Sequence, residues 1–121
     1  MRQMRPLGFG GGEEILPGIT VSLGRAGHIL GAASVLLDLQ EGGVSRRLLY
    51  SGDIGPDGAA LIPDPDPPQA ADVVLMESTY GDRDHRSRED TLDEIGRVLA
   101  EAWEDGGNLL VPSFAIGRTQ E

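Results

Sequence analysis

The sequence predicts a mixed α/β fold from three observations. Short runs alternate β-branched or apolar residues with polar ones between glycines, one segment has helical period, and apolar strand-like runs flank that segment. The opening stretch to Gly18 holds Gly8, Gly10, Gly11 and Gly12 with Pro6 and Pro17, and reads as loop or frayed end. Ile19 to Leu23 alternates as a half-buried strand, and a glycine-punctuated loop follows from Gly24 to Gly31. Ser34 to Gln40 alternates again, with Val35, Leu37 and Leu39 on one face. After Gly42-Gly43, Arg46 to Ser51 returns as its antiparallel partner, a hairpin.

Five prolines fall between Gly52 and Asp72, so that stretch is expected to cross the surface as a loop. Val73 to Met76 is a short apolar strand. Ser87 to Asp105 carries Leu92, Ile95, Val98, Leu99, Ala102 and Trp103 at helical spacing. This helix enters through Ser87-x-x-Asp90 and stops at Gly106-Gly107. Leu109 to Val111 is expected to resume a strand, and Gly117 to Glu121 to begin a helix whose remainder is absent, so the chain reads as truncated.

With 121 residues there is room for one compact domain and little more, too few for a large multi-domain enzyme. The net charge is −10, and it is uneven: residues 1–50 carry +1 and residues 51–121 carry −11. All ten basic residues are arginine. That balance argues against a stand-alone nucleic-acid clamp. Apolar stretches are too short to span a membrane, and the start has no signal-peptide pattern, so the expectation is a soluble, cytoplasmic protein with no membrane partner. The absence of cysteine removes disulfide scaffolds, thiolate zinc sites and cysteine nucleophiles. Only His28 and His85 are available, so any metal site must lean on carboxylates.

His28 lies between two strands among Gly27 and Gly31, where an imidazole can ligate a metal or simply pack at a strand end. Asp53 follows the apolar run Leu48-Leu49-Tyr50 and either reaches a cation beyond the sheet edge or caps its own turn. Glu77 likewise ends Val73-Val74-Leu75-Met76, and its alternative is a solvated ion pair with Arg83 or Arg86. Carboxylates at consecutive strand ends converge at one rim of a sheet, where α/β folds usually place ligand sites. Ser113 to Arg118 is a strand-to-helix turn in which Ser113 and Arg118 could hold a phosphate, or only start a helix. Gly8 to Gly12 matches neither a dinucleotide fingerprint nor a P-loop.

Four strings occur in order: Ala26-Gly27-His28-Ile29-Leu30-Gly31-Ala32, Tyr50-Ser51-Gly52-Asp53, Glu77-Ser78-Thr79-Tyr80-Gly81-Asp82-Arg83 and Pro112-Ser113-Phe114-Ala115-Ile116-Gly117-Arg118. Together they resemble the metallo-β-lactamase-fold RNA nucleases of the beta-CASP branch. The likeness is nearest to the nuclease subunit of the cleavage and polyadenylation machinery and its bacterial and archaeal relatives. The resemblance implies part of an αββα sandwich over residues 1–81 and the start of an inserted beta-CASP domain over 82–121. It implies an enzyme that cleaves single-stranded RNA with a hydroxide activated by two zinc ions. It places His28 as a ligand of one zinc, Asp53 as the bridge between both, and Glu77 as the acid that hydrogen-bonds a catalytic histidine from later in the chain.

The family's upstream H-x-H-x-D-H string and two downstream histidines have no counterpart here, and His85 matches no ligand position. Two protein ligands leave zinc short of four donors, so the 121 residues alone are expected to bind zinc weakly and not to cleave RNA. Competing readings are a DNA nuclease of the same fold and a non-catalytic module whose −10 charge suits a basic protein partner. A small-ester hydrolase on this fold would lack the Glu77 to Arg83 string.

Overall fold

A computed structural model describes residues 4–116 together with 119 and 120. It contains strands β1 (Glu13–Leu16), β2 (Ile19–Arg25), β3 (Ala33–Glu41), β4 (Val44–Tyr50) and β5 (Val73–Leu75), then helix α1 (Arg88–Asp105). The strands form one five-stranded sheet in sequence order. The first three pairings are antiparallel and β4 pairs with β5 in parallel. Among the described residues a mixed sheet and one helix make up an α/β chain, as the periodicity predicts.

Turn chemistry sets the register. Gly42 and Gly43 have φ of 57° and 79°, the doubly left-handed pair that a two-residue hairpin turn of matching twist requires. Glu41 therefore faces Val44, and the pairing runs on to Val35 opposite Tyr50. Alternation then puts Val21, Leu23, Val35, Leu37 and Leu48 on one face, and Ser22, Ser34, Leu36 and Leu49 on the other. Asp38 and Arg47 are opposite each other across β3 and β4 and pair at 2.7 Å.

Two sequence expectations are corrected. Glu13–Leu16 is a strand, not part of a loop, because it folds back on β2 and so gains backbone partners that its own composition does not signal. Leu109 to Val111 forms no strand. It lies in a compact unit, Ser78–Phe114, whose regular structure among the described residues is α1 alone, so it has no strand there to pair with. The other unit comprises Met1–Glu77 and Ala115–Glu121 and holds the whole sheet.

The helix has the expected limits. Ser87 caps it, its hydroxyl accepting the Asp90 N–H at 3.0 Å, and Gly106 ends it in the left-handed conformation. Among the described residues of the sheet unit, Val21, Ala26, Leu36 and Ile62 are the buried apolar side chains, and Ser51 is the buried polar one. Among the described residues no helix is long and apolar enough to cross a membrane.

The loop between β4 and β5 is irregular, as its prolines predict, and its residues 66–69 border a cleft over Leu36 and Leu49. Its later part is tied to the sheet at two points. Asp72 accepts the Arg47 N–H at 2.7 Å, and Asp66 accepts the Arg25 N–H at 2.8 Å and the Arg25 Nε at 3.1 Å. The Arg25 backbone N–H, seconded by the guanidinium, holds the Asp66 carboxyl below the usual carboxylate range. A lowered carboxyl pKa adds stability that is complete above the ordinary value and disappears as pH falls through the lowered one. The urea midpoint of the wild type should therefore exceed that of Asp66→Asn at about pH 6 and converge with it towards about pH 2. A gap that stays constant over that range would mean that this carboxylate does not couple folding to pH.

Candidate functional site

The C-terminal ends of β4 and β5 lie side by side because these strands pair in parallel, Tyr50 beside Leu75. Buried Ser51 continues the contact. Its N–H donates to the Leu75 carbonyl at 2.9 Å, and its hydroxyl donates to the Gly52 carbonyl at 2.7 Å while accepting the Glu77 N–H at 3.1 Å. Gly52 then turns the chain at φ 61°, with a Cβ there only 2.5 Å from the Ala33 carbonyl oxygen, so only glycine fits. Asp53 follows, exposed, and the Glu77 carboxylate accepts the Ile54 N–H at 2.7 Å. Glu77 is thus a brace for the turn that presents Asp53.

The His28 loop is closed on itself and stitched to the same turn. Ala26 N–H donates to Ala32 at 3.0 Å, Ala32 N–H to Ile29 at 3.0 Å, and Gly55 N–H reaches the Ala26 carbonyl at 2.8 Å. The approach is so close that a Cβ on Gly55 would sit 1.8 Å from the Gly27 oxygen and 2.7 Å from the His28 nitrogen. A half-buried His28 is therefore carried one residue beyond a glycine that touches the Asp53 turn. Three segments distant in sequence, around residues 28, 53 and 77, meet at one rim of the sheet.

The segments that meet there carry an imidazole and carboxylates, types that zinc accepts. Among the described residues no group of three or more His, Asp or Glu side chains converges as a metal site would require. The donor types fit zinc, and their number falls short of a closed four-ligand shell.

Ser113 stands in an irregular stretch of the other unit, and Arg118 lies outside the described residues, as do Gly117 and Glu121 of the expected helix start. His85 stacks on Tyr80 with ring centroids 3.8 Å apart, and the Arg83 guanidinium carbon lies 5.6 Å from the Tyr80 ring centre. This packing gives His85 a local role in its own unit. The roles of Ser51, Gly55 and Asp66 are not marked by the sequence pattern. The signal available for Gly55 was its place two residues after a strand-end aspartate, but nothing local marks Asp66, which acts on a residue 41 positions away.

No protein-family model matches the chain. Individual proteins do. Ribonuclease TTHA0252 of Thermus thermophilus is 41% identical over 118 residues, 98% of this chain and 26% of that protein. Cleavage and polyadenylation specificity factor 73 of Drosophila melanogaster is 36% identical over 97 residues, 79% of this chain and 14% of that protein. The chain is homologous to one segment of the beta-CASP RNA nucleases. An RNase J-like protein of Methanocaldococcus jannaschii extends the set at 36% identity over 90% of this chain and 26% of its own length. The chain spans about a quarter or less of these beta-CASP relatives.

Proposed function

We propose that these residues form the part of a zinc-dependent ribonuclease that presents one imidazole donor and one bridging carboxylate, and that the whole enzyme cleaves single-stranded RNA. In this reading the sheet is one layer of an αββα sandwich. The observation that carries the proposal is the Gly55 to Ala26 backbone contact, which brings the His28 loop and the Asp53 turn together. The relatives named ribonuclease support RNA as the substrate class.

Two zinc ions would supply activation of a water nucleophile at neutral pH and offset the charge of the phosphodiester. This chain's residues prepare the place. His28 offers an imidazole nitrogen, and the Asp53 carboxylate offers two oxygens, so one group can serve two cations and reduce their repulsion. Glu77 keeps Asp53 in position by holding the next backbone N–H. With two donors of a usual four, the 121 residues alone bind zinc weakly and do not cleave RNA.

The test is a chimera in which these residues replace the matching segment of the Thermus ribonuclease. The chimera is expected to cleave single-stranded RNA, to lose activity on chelation and to recover it with zinc, while the isolated chain stays inactive. A folded chimera that retains RNA without cutting it, or cuts equally well in chelator, overturns the proposal.

A further inference from the structure

The segment Asp64-Pro65-Asp66 has no role in the site so far, yet it grips the strand end that leads into the His28 loop. Asp66 holds both backbone groups of Arg25: its own N–H donates to the Arg25 carbonyl at 2.9 Å, and its Oδ2 accepts the Arg25 N–H at 2.8 Å. One residue earlier, the Pro65 ring lies against Gly27, where an added Cβ would meet Pro65 Cδ at 2.7 Å. The turn that delivers these residues is itself anchored, since Ile62 is buried and Asp64 accepts the Gly58 N–H at 2.7 Å. Gly55 contacts the same stretch through its bond to Ala26. The backbone from Arg25 to His28 is therefore held by two separate parts of the β4 to β5 connection, one before and one after residue 60.

We propose that Asp66 is a positioning residue for His28, fixing through the backbone of Arg25 where the imidazole is presented to a divalent cation. This rests on the reading of His28 as a zinc donor. The physical argument is that a ligand's affinity depends on how little its carrier must reorganise, and that residues orienting a ligand commonly matter tenfold or more. The backbone bonds, and not the guanidinium pair, are the operative contact. Arg25 Nε reaches Oδ1 at 3.1 Å between side chains that are 54% and 38% exposed, where an ion pair contributes little.

The chain has only two histidines, so ring resonances of His28 can be followed by NMR during zinc titration with His85 as internal reference. In the wild type the His28 signals should move saturably. Asp66→Ala should raise the apparent Kd about tenfold. Asp66→Asn keeps an oxygen for the Arg25 N–H, and Arg25→Met keeps the backbone and removes only the guanidinium, so both should stay within about twofold of wild type. Equal zinc response in wild type and Asp66→Ala overturns the inference and leaves the zinc reading standing. No His28 response in the wild type even at millimolar zinc, where a weak two-donor site would still fill, overturns the zinc reading itself. Should Asp66→Ala fail to fold, a tenfold loss in folded Asp66→Asn or Arg25→Met still refutes the backbone assignment.

Discussion

Gly55→Ala is expected to lower the unfolding free energy by about 3 kcal/mol, combining overpacking with loss of a hydrogen bond. The added methyl would lie 1.8 Å from the Gly27 oxygen and 2.2 Å from its carbonyl carbon. Both are backbone atoms, which cannot rotate aside as a flexible side chain would. The two loops must separate, and the Gly55 to Ala26 bond at 2.8 Å goes with them. Ala26 is also one of the few buried apolar residues, 2% exposed, so the loss falls on the core and not at its margin. Small domains have only about 5–15 kcal/mol in total, and this chain's scant core places it at the low end. Urea denaturation would measure the change, with Gly11→Ala as a control because a Cβ there meets nothing within 4 Å. A Gly55→Ala loss no larger than that of the control would mean that the two loops are not in close contact.

The elements legible in the sequence are those whose limits are written locally. Ser87 with Asp90 and Gly106 state both ends of α1, and Gly42-Gly43 states the turn between β3 and β4. Strand β1 and the stretch Leu109 to Val111 are the counter-cases. A strand is decided by whether a neighbour exists, and neither the two glutamates at the start of β1 nor the two leucines and valine later on carry that information. The same division runs through the site. His28, Asp53 and Glu77 stand out because each interrupts or ends an apolar pattern. Ser51 and Asp66 do not, since they act by binding backbone groups far along the chain, at separations of 26 and 41 residues. Their partners are N–H groups that every non-proline residue possesses, so no residue pattern announces them.

The second large effect concerns Asp53 and Glu77, which the proposed function gives different tasks at the same rim. In the chimera described above, Asp53→Asn should reduce kcat/KM by more than about a hundredfold, because a neutral amide cannot serve as a bridging carboxylate between two cations. Its effect on stability should be small, since Asp53 is exposed. Glu77 differs because its carboxylate holds the Ile54 N–H at 2.7 Å. Glu77→Gln keeps a carbonyl oxygen for that bond and should cost about tenfold in activity, through loss of a charge-assisted contact. Glu77→Ala removes the acceptor as well, so it should cost more activity than the glutamine variant and about 1–3 kcal/mol of stability. The ordering separates chemistry from support. If Glu77→Gln and Glu77→Ala behave alike in both measurements, the Ile54 bond supports nothing. If Asp53→Asn retains activity, Asp53 is not the bridging group, whatever the loops around it do. The pair is informative because the two carboxylates follow the C-terminal ends of adjacent parallel strands, one residue exposed to whatever approaches the rim and the other already engaged in holding it.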